Sequence, residues 1–325
     1  MISAYSHSLD LCRFYDERTG DIDMGVKGFV FVLVCIFICR LATAQAYLKT
    51  EYIASSGFRD ENNRKVGGSG SACIVQGGFS VPLSIRMDEN KRPTAWTLGL
   101  NVAYADLNNK NLSDDLTLSG IFNTQIGLSY LRPLNSRWSI MAMVGAGLYT
   151  ETAGFNKTYL KNILGEGMVV FIWHLLDDLD VGMGVAVNTA FGYPMTFPAF
   201  LLNWKLEGRY FVTISMMNMG EFEAGMALNE SLQLKLVAGM NGMLALVNRD
   251  GKKKMFTEQY ITTGVQPEFV LSKSLSIPLT VGISAYRAAF YDDRTLRAFF
   301  KSMSRDYDPH FSPSFYISAG IKYGF

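Results

Sequence analysis

Three histidines are the side chains of this 325-residue sequence best suited to acid–base chemistry at neutral pH: His7, His174 and His310. A serine hydrolase needs such a histidine between a carboxylate and a nucleophile. Three aspartates follow His174 within residues 177–180, and aspartates and a serine surround His310 within residues 306–312. A histidine among loop carboxylates is usually a solvated surface residue, so the sequence predicts no enzyme.

The sequence contains little that indicates a metal-binding or cofactor-binding site. Asp106, Asp114 and Asp115 form an acidic stretch of the kind that calcium prefers, but they lack a regular ligand spacing. The few histidines and cysteines are not spaced as metal ligands, and no glycine-rich phosphate loop precedes a helix. We therefore predict neither a metal nor an organic cofactor.

The composition limits the class of protein. Apolar residues make up 49% of the chain, charged residues make up 18%, and the formal net charge is +1. So few charges argue against intrinsic disorder, and the near-neutral balance argues against a nucleic-acid partner. The longest apolar run, residues 29–39, is shorter than the roughly 20 residues that a membrane-spanning helix needs.

Residues 24–44 have the layout of a secretory signal peptide, with a basic start, the apolar run and a small-residue exit. We predict cleavage after Ala44, with Ala46 as the alternative site. Residues 1–23 are interpreted as a start-site artefact or an extension. Residues 45–325 would then be the exported chain, whose only cysteine, Cys73, forms no intramolecular disulfide.

The rest of the chain alternates with period two, most clearly in residues 96–105, 122–130 and 181–188. One set of positions is large and apolar, whereas the other holds Gly, Ala, Ser, Thr, Asn and Gln. Successive strand residues point to opposite faces of a sheet. A soluble sandwich also alternates, but its outer face usually carries many charges. The pattern therefore predicts an all-β fold, a transmembrane antiparallel β-barrel with a crowded polar lumen.

The alternation marks about fourteen strands, or about twelve if two weaker segments between residues 199 and 228 do not span. Connections after even-numbered strands are short, and those after odd-numbered strands are mostly long, including residues 56–72, 150–165, 248–256 and 291–313. Bacterial outer-membrane barrels have short periplasmic turns and longer outer loops. We therefore expect both termini in the periplasm.

Extending the alternation predicts a set of charged side chains on the lumen face: Arg86, Lys205, Arg209, Glu223, Lys235 and Lys322. Positive charges dominate this set, so an open lumen would favour anions. The alternative is that these side chains pair with turn carboxylates or reach out to water at strand ends.

Two sets of aromatic residues have predicted positions outside the lumen. Trp96, Trp138, Trp173 and Trp204 all lie beside short connections, which predicts one ring of indoles at the periplasmic membrane–water interface. In the last long loop, apolar residues within 294–305 recur at helical spacing. This predicts a short amphipathic helix over the outer mouth, and its constriction candidates are Arg297, Lys301, Phe299 and Phe300. The alternative is a helix that rests on lipid head groups.

The final strand, residues 314–325, alternates up to Tyr323 and Phe325. It resembles the terminal signature of bacterial outer-membrane β-barrel proteins, which implies a bacterial outer-membrane location and recognition by the barrel-assembly machinery. Residues 161–167 (KNILGEG) and 197–204 (FPAFLLNW) resemble a domain-of-unknown-function barrel family of Bacteroidetes-type bacteria, for which no activity is assigned.

These observations predict a passive pore or transporter for small solutes in the outer-membrane bilayer. A non-conducting barrel that presents outer loops for adhesion or envelope structure is the alternative. A barrel hydrolase is the third possibility, which His174 does not favour because it lies on the expected periplasmic side.

Overall fold

The computed structural model describes residues 44–89, 92–113, 116–151, 161–204, 209–216, 220–249 and 251–324. The predicted extension, residues 1–23, and the signal peptide up to residue 43 lie outside the described residues. So do Asp114, Asp115, Lys205 and Phe325.

The described chain forms one antiparallel sheet of fifteen strand segments. They are β1 (Gln45–Arg59), β2 (Lys65–Met87), β3 (Pro93–Lys110), β4 (Gly120–Pro133), β5 (Trp138–Thr150), β6 (Ile163–Leu176), β7 (Leu179–Asn188), β8 (Met195–Trp204), β9 (Tyr210–Ser215), β10 (Glu221–Asn229), β11 (Leu232–Arg249), β12 (Lys252–Ser272), β13 (Leu275–Asp293), β14 (His310–Phe311) and β15 (Ser314–Tyr323).

The sheet closes into a barrel because its first and last strands pair. β1 pairs with β2 on one side and with both β14 and β15 on the other, and these two segments also pair with β13. β14 and β15 are therefore two parts of one strand, interrupted at residues 312–313. The prediction of about fourteen strands is confirmed, and closure leaves no unpaired edge strand to aggregate.

The predicted faces of the strands are confirmed. Val144, Met183 and Phe315 point outward and are 63%, 68% and 51% exposed, while their neighbours Met143, Gly182 and Tyr316 point inward. The outward face carries exposed apolar residues on strands all around the barrel, among them Leu48, Tyr52, Tyr104, Ile126, Val185, Leu236, Val281, Ile283, Ile317 and Ile321.

Two predicted long loops are instead strand extensions. Most of residues 56–72 belongs to β1 and β2, joined by a tight turn at residues 60–64, and most of residues 248–256 belongs to β11 and β12. In the first residues of β2 the alternation of apolar and polar side chains is weak, because Gly67, Gly68 and Gly70 carry no side chain. Short connections after the even-numbered strands β2, β4, β6, β10 and β12 are confirmed.

Part of the interior is packed rather than wet. Near the long-loop end, inward side chains of β1–β4 and β11–β15 form an apolar core that includes Ile53, Ile74, Phe256, Phe311 and Tyr316. At this end of the barrel, packed apolar side chains therefore interrupt the crowded polar lumen that the sequence predicts. The alternation indicated an inner face of small polar residues, but it could not show that large inward side chains on opposite strands meet.

The loop between β13 and β14 contains the predicted short helix, α1 (Leu296–Met303). Thr295 caps its amino end, where its hydroxyl oxygen accepts a 3.2 Å hydrogen bond from the backbone N–H of Ala298. Among the described residues, no helix is long and apolar enough to cross a membrane.

Candidate functional site

The interior of the barrel holds a cavity of about 1210 Å³. It extends from Ser80 and Lys322 on the side of the short turns to Asp292 and Asp308 on the side of the long loops. One side is an apolar wall made of Met143, Met168, Ala186 and Phe191, and the first three pair across β5, β6 and β7. The other side is a polar wall that includes Gln76, Gln259, Thr262, Thr280 and Ser318.

Glu51 anchors a buried network at the seam where the barrel closes. Its carboxylate accepts hydrogen bonds from Gln76 (2.5 Å), Tyr260 (3.2 Å) and Tyr316, and Lys49 lies 3.0 Å from it. These partners come from β1, β2, β12 and β15. A fully buried carboxylate without such partners would be very costly, so the network stabilises the closed form.

The predicted lumen charges occupy different environments. Lys235 is buried, and its ammonium nitrogen lies 3.3 Å from Glu223 and 2.7 Å from Glu268. Glu223 and Lys322 line the cavity. Arg86 and Arg209 are exposed at the short-turn end, outside the residues that line the cavity, and Lys205 lies outside the described residues.

The described residues do not give the excess of positive charge that the sequence suggested. Those that line the cavity include two lysines, Lys49 and Lys322, against five carboxylates: Glu166, Glu221, Glu223, Asp292 and Asp308. Sequence reasoning missed Glu166 and Glu221 because both lie at the edges of the predicted strands. The expected preference for anions is therefore not supported.

The barrel is pinched where β11 approaches β4 and β5, which are not its neighbours in the sheet. The side-chain amide of Asn123 donates a 2.6 Å hydrogen bond to the carbonyl oxygen of Leu244 and accepts a 3.1 Å bond from the same residue's N–H. Above this bridge, Leu246 and Met255 pack against Leu164. On the other face of this hairpin, Ala245 and Phe256 belong to the apolar core, so both faces of its end are covered.

The loop that carries α1 is tied to the connection between β7 and β8. Arg294 donates a 2.9 Å hydrogen bond to the carbonyl oxygen of Ala190, and the rings of Phe299 and Phe191 lie 5.1 Å apart. Ser302 and Met303 of the helix line the cavity. The four predicted constriction residues are not part of this lining. Phe299 packs against Phe191, whereas Arg297, Phe300 and Lys301 are exposed.

An ion-pair cluster holds the end of this loop. Arg305 contacts Asp292 and donates a 3.1 Å hydrogen bond to Asp308. Burial raises the pKa of the Asp308 carboxyl, and the hydrogen bond from Arg305 only partly opposes that rise. His310 is buried close by, and its Nδ1 lies 2.8 Å from the carbonyl oxygen of Asp308. His310 is thus a packed residue, not the solvated one that the sequence suggested.

His174 is brought together with a serine that sequence reasoning missed. Its Nε2 lies 2.8 Å from the hydroxyl oxygen of Ser139, and its Nδ1 lies 2.6 Å from a carboxylate oxygen of Asp180. The signal was available only through strand register, because Ser139 is on the preceding strand and pairs with Ile172. Among the described residues, no group of three or more His, Cys, Asp and Glu could hold a metal ion.

The four tryptophans lie at strand ends on the side of the short turns and are each roughly 40% exposed. Trp138 stacks on Trp173 with ring centres 5.6 Å apart, and Trp96 packs against Tyr130. Tyr323 of the terminal signature faces outward at the same end of the barrel, where it pairs with Ala46.

Residues 40–324 match the family described as a domain of unknown function, DUF6268. The chain belongs to this family. The match confirms the predicted resemblance to a barrel family without an assigned activity. No curated protein matches the sequence significantly.

Several solved structures are similar to this chain over most of their length. The Pseudomonas putida toluene transporter TodX is 10% identical, with 87% of this chain and 90% of that chain covered and a TM-score of 0.37. The COG4313 outer membrane channel from Pseudomonas putida F1 is 9% identical, with coverages of 86% and 95% and a TM-score of 0.42. The KdgM porin, solved with disordered oligogalacturonate, is 10% identical, with coverages of 86% and 99% and a TM-score of 0.32.

Proposed function

We propose that this protein is a channel for small solutes in the bacterial outer membrane. The single observation that carries the proposal is the cavity of about 1210 Å³ inside a closed barrel whose outward face is apolar. A barrel with this outer face is stable in lipid, because closure lets the backbone groups of neighbouring strands pair with each other and the side chains that contact lipid are apolar.

The ends of the barrel support the same orientation that the sequence predicts. Four indoles at one rim suit a membrane–water interface, where the ring is half-buried and the N–H stays wet. The short turns beside them would face the periplasm, and α1 with its loop would face the outside. In this arrangement the signal peptide directs export, and Tyr323 and Phe325 in the final strand are recognised by the assembly machinery.

The two walls of the cavity define the kind of solute that fits. A molecule with one apolar side and one hydrogen-bonding side could contact Met143 and Met168 while it bonds with Gln76 or Gln259 across the lumen. A purely apolar solute would displace water from half-buried amides such as that of Gln259 without replacing its hydrogen bonds, which costs free energy. We therefore expect small amphiphilic solutes rather than hydrocarbons.

Single-channel recording tests the proposal. The protein purified from bacterial membranes would be added to a planar lipid bilayer, and its folded state checked by its heat-modifiable migration on a gel. We expect discrete conductance steps. If the folded barrel inserts without conducting ions, the packed core and the pinch at Asn123 favour the alternative, a non-conducting barrel that presents its outer loops.

A further inference from the structure

Ser139, His174 and Asp180 project into the barrel from three adjacent strands, β5, β6 and β7, near the short-turn end. The imidazole bridges the other two side chains, with contacts of 2.8 Å to the serine oxygen and 2.6 Å to the aspartate oxygen. A neutral imidazole that donates from Nδ1 to Asp180 can accept the serine proton at Nε2. This is the relation of nucleophile, base and orienting carboxylate in a Ser–His–Asp triad.

The sheet fixes these three residues in place. His174 and Asp180 lie directly opposite each other, and Ser139 lies opposite Ile172, one step diagonally from His174. On the outer face, the parallel rings of Trp138 and Trp173 stack immediately behind Ser139 and His174. Groups held on paired strands need little reorganisation to react, which favours catalysis.

The wall beside this group is apolar. Buried Met168, Val170, Ile172 and Ala199 form a cluster against which Met141 and Leu201 pack. Ser139 is buried, whereas the His174 and Asp180 side chains are 23% and 35% exposed. A substrate would therefore reach the serine past the imidazole, with an apolar group against the cluster.

We propose that Ser139, His174 and Asp180 form a hydrolytic site for carboxylic esters with an apolar acyl group. The Ser139 oxygen attacks the ester carbonyl carbon while its proton passes to Nε2 of His174. The C–O bond to the alcohol then breaks, and the alcohol leaves with that proton. Water, deprotonated by Nε2 of His174, attacks the acyl carbon. The bond to the Ser139 oxygen then breaks, the carboxylic acid leaves, and the serine oxygen takes the proton back from His174. Asp180 is a positioning residue that holds the imidazole.

Covalent labelling tests the nucleophile. The purified full-length protein would be incubated with an alkyl fluorophosphonate, and the adduct located by intact mass and peptide mass spectrometry. We expect one adduct, on Ser139, with none in Ser139→Ala and a rate lowered about 100-fold or more in His174→Asn, since a general base contributes about that factor. Ser129→Ala is the matched control, because among the described residues the Ser129 hydroxyl hydrogen-bonds to the backbone carbonyl of Thr97, at 3.4 Å, and not to a histidine. We expect full labelling of this variant.

The test of Asp180 must distinguish a residue that positions the His174 imidazole from one that only stabilises the fold. Asp180→Asn is expected to lose labelling, whereas Asp180→Glu, which keeps the carboxylate, restores part of it. Hydrolysis of p-nitrophenyl butyrate should follow the same order among the variants and exceed hydrolysis of the acetate, because the longer acyl group reaches the apolar cluster.

Absence of labelling in the folded wild-type protein would overturn the proposal, as would labelling that persists in Ser139→Ala. If Ser139, His174 and Asp180 only stabilise the pairing of β5, β6 and β7, their variants will unfold at a lower temperature, and the wild-type protein will not react with the probe. Channel conductance does not depend on this chemistry, so a folded, conducting but unreactive barrel would refute the hydrolytic site and leave the proposed channel intact.

Discussion

Individual buried charges decide much of the stability of this barrel. Arg287 and Glu258 are 2% and 0% exposed and form an ion pair, while the guanidinium also donates a 3.1 Å hydrogen bond to the carbonyl oxygen of Gly70. It lies over the ring of Phe311, 4.2 Å from its centre. One arginine thus joins β13 to β12, β2 and β14.

We expect Arg287→Ala to lower the free energy of unfolding by roughly 3–5 kcal/mol, because it leaves the Glu258 carboxylate buried without its partner. Equilibrium unfolding in urea, followed by tryptophan fluorescence in lipid vesicles, measures the change. Arg137→Ala, at an exposed turn position, is the matched control. The double variant Arg287→Ala with Glu258→Ala should cost less than the sum of the single variants, and strict additivity would show that the pair is not coupled.

At the scale of elements, the β11–β12 hairpin and the α1 loop both reach across the long-loop end. The hairpin is held to β4 through Asn123, and the loop is held to the β7–β8 connection through Arg294 and Phe299. Each contact joins elements that are far apart in the order of the sheet.

The hairpin contact gives a prediction for the width of the lumen. Asn123→Ala removes both hydrogen bonds to Leu244, so we expect the pinch to relax and the single-channel conductance to rise. Asn101→Ala is the matched control, because Asn101 also lines the cavity, and its side-chain partner among the described residues is Tyr47, two strands away on β1. An equal rise in both variants would contradict a specific role for the bridge.

The helix contact gives a prediction for the loop. Phe299→Ala removes the ring contact with Phe191, so we expect trypsin to cleave at Arg297 and Lys301 several times faster while the barrel stays intact. Phe300→Ala provides the comparison, since that ring is 64% exposed and its loss should change the cleavage rate little. Gel analysis of a digestion time course would show the difference, and identical rates would mean that the Phe299 contact does not hold the helix.

At the scale of the whole molecule, the charges of the cavity predict ion selectivity. Glu166 lines the cavity and has no ion-pair partner among the described residues, so we expect a preference for cations. Glu166→Gln should move the reversal potential in a salt gradient toward zero, while the exposed turn variant Glu230→Gln should leave it unchanged. A reversal potential of the opposite sign in the wild type would instead restore the preference for anions that the sequence suggested.

Strand number, facing and α1 were all predictable from the sequence, because period-two and helical periodicities report directly on local geometry. The interior was less predictable, because its contacts join residues far apart in the chain. Asn123 meets Leu244 and Ser139 meets His174 only after the strands take their register. Lys235 is a predicted lumen residue whose partner Glu268 was not identified, since pairing depends on which strands become neighbours.

The network around Glu51 bears on how the barrel is assembled. Its partners lie on both sides of the junction between β1 and β15. The carboxylate therefore has all of them only after these two strands have paired. Before closure the carboxylate can keep Lys49 and Gln76, which lie on β1 and β2, but it lacks the hydrogen bonds from Tyr260 and Tyr316. A charge that lacks some of its partners is unfavourable beside lipid. Closure therefore completes the hydrogen bonding of Glu51, and we expect an intermediate that lacks the two tyrosine partners to be short-lived.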